Sequence, residues 1–270
     1  MNMSFEKIRE IKDDGARVAA VYEIFNEDTR LNHSKAARVE FLTTNHIINR
    51  YLQKGNKIMD IGAGAGEYSL HFAEAGFEVT AVELAEANIK AFRNKLRPEL
   101  NINLHQGNAC DLSKFDDNTY DIVLVFGPLY HLSNQEDRSK CIREAMRVCK
   151  EDGMIFFAFI SNDMVILTET FCYNPDFLIS DQFENRTFKV EDFPFVFFTA
   201  AEARNMLLNE NIQILMEVAV DGVSELLADK INEMDDESYQ RYLNYHLYCC
   251  EKPEMLGHSN HLLFGGKPIK

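Results

Sequence analysis

The run Lys57-Ile58-Met59-Asp60-Ile61-Gly62-Ala63-Gly64-Ala65-Gly66-Glu67-Tyr68 constrains this chain more than any other stretch. Residues 58–61 form a short apolar block that reads as a buried strand. Three glycines follow at alternate positions, and Tyr68, Phe72 and Ala75 then stand close to helical spacing. Glycine permits a sharp turn and lets backbone N–H groups come close to a ligand. The next apolar run, 79–82, ends on Glu83, where a carboxylate can accept both hydroxyls of a ribose. The stretch therefore reads as a nucleotide site; the alternative is a tight strand-to-helix turn with no ligand. A dinucleotide fingerprint, G-x-G-x-x-G, would need its third glycine at position 67, and Glu67 stands there.

The surrounding chain alternates strand and helix. Candidate strands are 57–61, 78–83, 101–105, 120–126 and 154–160, and candidate helices are 66–75, 85–97 and 134–150. Apolar stripes support the helices: Ile89, Phe92 and Leu96 in one, Ile142, Ala145, Met146 and Cys149 in another. Gly76, Pro98 and Gly153 punctuate their ends. Alternation with continuous apolar strands implies a parallel sheet covered on both faces. Ligands in such sheets sit beyond the carboxyl ends of strands. Motif residues, Glu83, Asn108 and Gly127 all fall just after strands. Before this core, residues 1–54 read as a helical cap, with helices over 16–26 and 34–52 and a polar connector between them. The core is 55–160. Residues 161–198 hold eight Phe and one Tyr without a clear period and form a first insertion. Residues 199–270 return to the sheet: Thr199-Ala200-Ala201-Glu202 is a capping-box match opening a helix, a strand follows at 212–220, residues 222–257 are a helical insertion, and 261–265 is a last strand. The expected architecture is one α/β domain, a Rossmann-like, doubly wound, seven-stranded, mostly parallel sheet.

At 270 residues with 46% hydrophobic content the chain can bury a sizeable core. Its formal net charge of -15 repels phosphate backbones and anionic lipid, and no Lys/Arg run offsets that, so no nucleic acid or membrane partner is expected. None of the six cysteines forms a C-x-x-C pair, which argues against a zinc knuckle. With no signal peptide and no membrane-length apolar run, a cytoplasmic protein is expected, monomer or homodimer. Tyr245, His246, Cys249 and Cys250 offer too few ligands on one helical face for a metal, so no metal is expected.

Asp60-Ile61-Gly62-Ala63-Gly64-Ala65-Gly66, Val82-Glu83-Leu84, Gly107-Asn108-Ala109, the strand 120–126 leading into Gly127-Pro128-Leu129-Tyr130-His131-Leu132, and Gly153-Met154-Ile155-Phe156-Phe157 together resemble the class I S-adenosylmethionine-dependent methyltransferases of small-molecule type. The resemblance covers about 16–160 well, and 199–220 and 260–267 loosely. It implies S-adenosylmethionine as cofactor. The backbone at Gly62, Ala63, Gly64 and Gly66 would hold the methionine part, and Asp60 would orient the loop or the ammonium. Glu83 would take the ribose hydroxyls, with Leu84 beside adenine. Asn108 and Ala109 stand where the family usually has G-D-A, and an amide oxygen can still accept from the adenine amino group. Phe126 and Gly127 would line the sulfonium. Tyr22 and Arg30 of the cap, with His33 and Arg38 nearby, could reach the cofactor carboxylate; the alternative is a solvated helix surface.

The implied reaction is in-line displacement of methyl from sulfur to a small organic acceptor. Alignment can contribute ~7–11 kcal/mol and a base ~10²–10⁴-fold. His131, just past the fourth strand, is the candidate base, with Tyr130 beside it; the alternative is a histidine that packs or caps. Gly127 stands where amine-directed adenine or glutamine methyltransferases carry Asp or Asn, which argues against that subclass. The 161–198 insertion is either an apolar lid or a satellite core. Competing functions are a methyltransferase for RNA or protein, a non-catalytic S-adenosylmethionine binder, and a nicotinamide-dependent oxidoreductase.

Overall fold

A computed structural model describes residues 5–25, 27–190 and 194–269. The end of the expected 16–26 helix at Asn26, and Glu191, Asp192 and Phe193 of the first insertion, lie outside the described residues. The elements run α1 (Phe5–Arg9), α2 (Asp14–Tyr22), α3 (Lys35–Asn49), β1 (Lys57–Ile61), α4 (Glu67–Glu74), β2 (Glu78–Glu83), α5 (Glu86–Lys95), β3 (Ile102–Gln106) and β4 (Tyr120–Val125). They continue with α6 (Pro128–His131), α7 (Gln135–Val148), β5 (Cys149–Ser161), α8 (Asn162–Thr168), β6 (Phe197–Phe198), α9 (Ala200–Asn209), β7 (Ile212–Ala219), α10 (Ala228–Asn232), α11 (Asp236–Cys249) and β8 (His261–Pro268).

The strands form one sheet in the order β3-β2-β1-β4-β5-β8-β7. The first five are parallel, and β8 runs antiparallel to both β5 and β7. That is the expected seven-stranded path. The two-residue β6, which pairs with the end of β5 at Ile160 and Ser161, is an addition too short to leave a periodic signal. Chain order reverses between β1 and β4, so a crevice opens at their carboxyl ends. Two cores cover the sheet. One joins Val123, Ile155 and Phe157 to Ile142, Ala145 and Leu207, and the other joins Ile58, Leu124 and Phe156 to Phe41, Ile48 and Phe72.

Local chemistry sets the helix starts. Asp13, Ser34 and Asn134 side chains accept from the N–H of Ala16, Ala37 and Asp137 at 2.7, 3.1 and 2.9 Å, and the Thr199–Glu202 capping box is present. Two expectations change. Ala75 is exposed at the end of α4, and Ala73 takes its place in the core. Gly153 does not stop α7; it lies within the irregular start of β5, where an added Cβ would sit 2.7 Å from Cys149 Sγ and 2.9 Å from the carbonyl of Asp121.

The C-terminal insertion completes the cap. Lys35 Nζ donates to the carbonyl of Met234 at 2.7 Å, Tyr239 Oη to the carbonyl of Lys35 at 2.8 Å, and the N–H of Ala36 to Asn232 Oδ1 at 3.0 Å. The aromatic insertion builds a satellite core of Val165, Phe177, Phe183, Val190 and Phe197.

Candidate functional site

The motif glycines do three different jobs. Gly62 and Ala63 both donate to the carbonyl of Val82, at 2.8 and 3.1 Å, which folds the loop over the end of β2. Gly62 has φ 78° and packs against Pro128, whose Cδ would stand 2.6 Å from an added Cβ. Gly64, at φ 54°, turns its N–H to Glu83 Oε2 at 2.8 Å. Gly66 is a correction to the expected ligand contact. It does not border the cavity, and an added Cβ would lie 2.4 Å from the Phe92 ring, so it serves the close packing of α4 on α5.

Glu83 is buried at the end of β2. Its Oε1 accepts from the N–H of Ala85 at 2.8 Å and from Asn88 at 3.4 Å. Burial raises its pKa and these donors pull against that. A carboxylate has about four acceptor positions, and Gly64, Ala85 and Asn88 take three, so one remains, on Oε2, for a hydroxyl donor. Asp60, one strand over, accepts from Ser69 Oγ at 2.6 Å through Oδ2, while its buried Oδ1 has no hydrogen-bond partner among the described residues. Burial pushes this carboxyl up to about 6, against the Ser69 bond. An unpartnered oxygen bordering a cavity offers an acceptor to a donor on a ligand or to an ordered water. Asn108 Oδ1 accepts from the N–H of Cys110 at 2.9 Å, an Asx turn that leaves it one further acceptor position.

Beyond β4 the chain turns at Gly127, whose φ of 125° only glycine adopts readily, and enters α6 with Tyr130 and His131. His131 Nε2 is 2.9 Å from Tyr22 Oη, and its buried Nδ1 has no partner among the described residues. Burial, helped by the Arg17 charge, drives the imidazole down to about 3. A ring held so low takes a proton poorly, which counts against His131 as the base and for a neutral wall of the pocket. Its ring lies 5.1 Å from those of both Tyr130 and Phe195. Phe195 is how the aromatic insertion reaches the site; none of the insertion's described residues borders the cavity, so in this conformation it is a satellite core and not a lid. Burial raises the Tyr130 phenol.

The cap is fastened from α2. Arg17 is buried, bonds Asp14 at 2.8 Å and donates to the carbonyl of His131 at 3.3 Å, while Asp14 accepts from the N–H and Oγ of Ser133, each at 2.8 Å. Arg30 is held by Glu27 at 2.9 Å and by both oxygens of Glu40, at 2.7 and 3.2 Å. Its guanidinium is thus already engaged by carboxylates.

Asp60, Gly62, Ala63, Gly64, Glu83, Leu84, Asn108, Ala109, Phe126, Gly127, Tyr22, Arg30, Tyr130 and His131 all border one cavity of about 330 Å³. That size lies at the lower end of small-ligand pockets. Sequence reasoning missed Glu40 and His261, which also border it, and Asp221 behind them. The available signal was polar residues at the facing ends of two neighbouring strands, 212–220 and 261–265. His246, by contrast, is buried against the carbonyl of Val220 at 3.1 Å, a structural role.

Residues 59–157 match the family model of a methyltransferase domain. The chain is 32% identical over 110 residues to the ubiquinone/menaquinone biosynthesis C-methyltransferase UbiE of Idiomarina loihiensis, covering 38% of this chain and 42% of that one. It is 28% identical over 112 residues to the glycine/sarcosine N-methyltransferase of Aphanothece halophytica, covering 41% and 42%. The chain therefore spans less than half the length of either relative. Among solved structures, a protein of Methanosarcina mazei described among S-adenosylmethionine-dependent methyltransferases superposes with a TM-score of 0.54 at 20% identity, covering 83% of this chain and 98% of that one. Matched domain, glycine loop and acidic end of β2 agree: over residues 59–157 the chain is similar to the class I methyltransferases that use S-adenosylmethionine.

Proposed function

We propose that this protein transfers a methyl group from S-adenosylmethionine to a small organic acceptor bound in the cavity. The observation that carries the reading is Glu83: one carboxylate ties the Gly64 loop to the start of α5 at the mouth of a cavity bordered by the unpartnered Asp60 oxygen. Glu83 would accept one ribose hydroxyl at its open position, and the second by displacing the long 3.4 Å Asn88 bond; Asp60 would hold the ammonium, and Asn108 and Leu84 the adenine. The sulfonium supplies an activated methyl, so this chain's residues need only orient the partners and exclude water. Tyr22, His131 and Tyr130 form a wall, buried at His131 and half-buried at the two tyrosines, that can do so. His131 acts there as a neutral hydrogen-bonding group. The matched relatives methylate carbon in one case and nitrogen in another, so the acceptor atom follows from this chain's own far wall and not from the shared motif. The net charge of -15 favours a small acceptor over RNA.

Methyl-labelled S-adenosylmethionine, incubated with the protein and a cell extract split into small-molecule, RNA and protein fractions, tests the reading. Label is expected in the small-molecule fraction. Label confined to RNA or protein, or no transfer at all, would contradict it.

A further inference from the structure

A second group of titratable side chains meets at the end of the cavity away from the glycine loop. His261 opens β8, and its Nδ1 lies 2.7 Å from Asp221 Oδ2 and 3.4 Å from Glu40 Oε2. Asp221 is 5% exposed and stands behind the ring; its Oδ1 accepts from Ser259 Oγ and, at 3.0 Å, from the N–H of His261. Glu40 is fixed in turn by Arg30. Both oxygens facing Nδ1 are acceptors, so Nδ1 carries a hydrogen, and the buried carboxylate sets the ring's orientation. The ring borders the cavity, and no hydrogen bond joins Nε2 to any described residue. Burial by itself would lower this imidazole, but Glu40 and Asp221 outweigh it, against the Arg30 charge, and raise it to about 9. At neutral pH it is an imidazolium, and Nε2 carries a hydrogen as well.

Position separates this group from the cofactor loop. β8 lies three ladders from β1, across β4 and β5, a span of roughly 14 Å at the usual strand spacing. A nucleoside held at Glu83 and Asp60 leaves that end of the cavity to the acceptor.

We propose that His261, oriented by Asp221 and Glu40, binds the methyl acceptor and selects molecules that present an ionised oxygen, as a phenol, enol or carboxylic acid supplies. This rests on reading the cavity as a methyl-transfer site. Such an acceptor releases its O–H proton to solvent on binding, and the oxygen anion accepts the Nε2–H. The acceptor's nucleophilic atom then takes the methyl carbon and leaves the electron pair of the broken bond on sulfur. Sulfonium and acceptor charges cancel, the ring keeps its proton, and the product loses its ionic hold on His261. Glu40, Asp221 and His261 could also be viewed as metal ligands. Arg30 argues otherwise: it occupies both Glu40 oxygens and would set a positive charge against the ion.

Titrating 4-nitrophenol into the protein saturated with S-adenosylhomocysteine, below the pH at which the free phenol ionises, tests the proposal through the visible phenolate band. The wild type is expected to bind it as phenolate, and His261→Asn to lose the band and about tenfold or more in affinity. The affinity of His261→Asn for S-adenosylhomocysteine should not change. Benzoate separates two versions within the proposal: displacement admits carboxylates, and no displacement confines the site to phenols and enols. Equal phenolate binding by His261→Asn, or binding of the neutral phenol alone, would overturn it. So would a rise in melting temperature with Zn²⁺ or Mn²⁺ that depends on His261. Should the variant not fold, the assigned imidazole ¹⁵N signals of wild-type His261 decide: they must shift on adding the phenol, and no shift overturns the proposal. Absence of S-adenosylhomocysteine binding would instead sink the methyl-transfer reading itself.

Discussion

Single residues of the site trade stability for ligand contact. Asp60 keeps one carboxylate oxygen without a partner, and its pKa lies near 6 instead of the ordinary carboxylate value near 4. A carboxyl raised on folding contributes stability that is present below its unfolded pKa and is lost as pH rises through the folded one. Wild type should therefore lose about 1 kcal/mol relative to Asp60→Asn between pH 5 and 7.5. Chemical denaturation of both proteins at the two pH values measures this; a constant difference would contradict it. The same substitution should weaken cofactor binding. His131 carries the opposite sign. Its imidazole is depressed to about 3 and stays neutral over the working range, so any rate profile near neutrality should show no inflection owed to it. Tyr22→Phe removes the one hydrogen bond of this buried ring and should lower stability by about 1–3 kcal/mol, read as an earlier denaturation midpoint.

Elements place these residues, and glycine substitutions separate placement from contact. Gly66→Ala drives a Cβ into Phe92 in a left-handed conformation. It should cost roughly 2 kcal/mol or more in stability, measured by denaturation. Gly64→Ala carries the same left-handed strain but meets only the Glu27 side chain at 3.2 Å, so it should destabilise less than Gly66→Ala and also weaken cofactor affinity. If Gly64→Ala destabilised the fold as much as Gly66→Ala, this division of roles would be wrong. Elements also decide what could be read from the chain beforehand. The β1 loop, the acidic end of β2 and the Thr199–Glu202 capping box were legible because each is written within a few neighbouring residues. Gly66 looked like its sister glycines because spacing does not say which side of the turn meets Phe92. Glu40, Asp221 and His261 were hidden because α3, the end of β7 and the start of β8 meet only after the sheet has formed. The aromatic insertion gave no period because its core is assembled from short turns, with Phe177 and Phe183 facing inward and Phe171 and Ile179 left exposed.

At the scale of the whole molecule, an N-terminal helical cap, braced by the C-terminal insertion packed against α3, covers a crevice that strand order dictates. No helix among the described residues is long and apolar enough to cross a membrane. The surplus of acidic groups opposes the compact state through self-repulsion, so the melting temperature should rise from low to physiological salt. The account as a whole depends on Glu83 holding a nucleoside beside the Gly64 turn. Calorimetric titration of S-adenosylhomocysteine into wild type and Glu83→Gln measures that most directly. The account predicts saturable one-site binding to the wild type, with Glu83→Gln weaker by ~1.5–3 kcal/mol, about ten- to a hundredfold, through loss of charge-assisted hydrogen bonds. No binding heat with the wild type, or equal affinity in a folded Glu83→Gln protein, would contradict it.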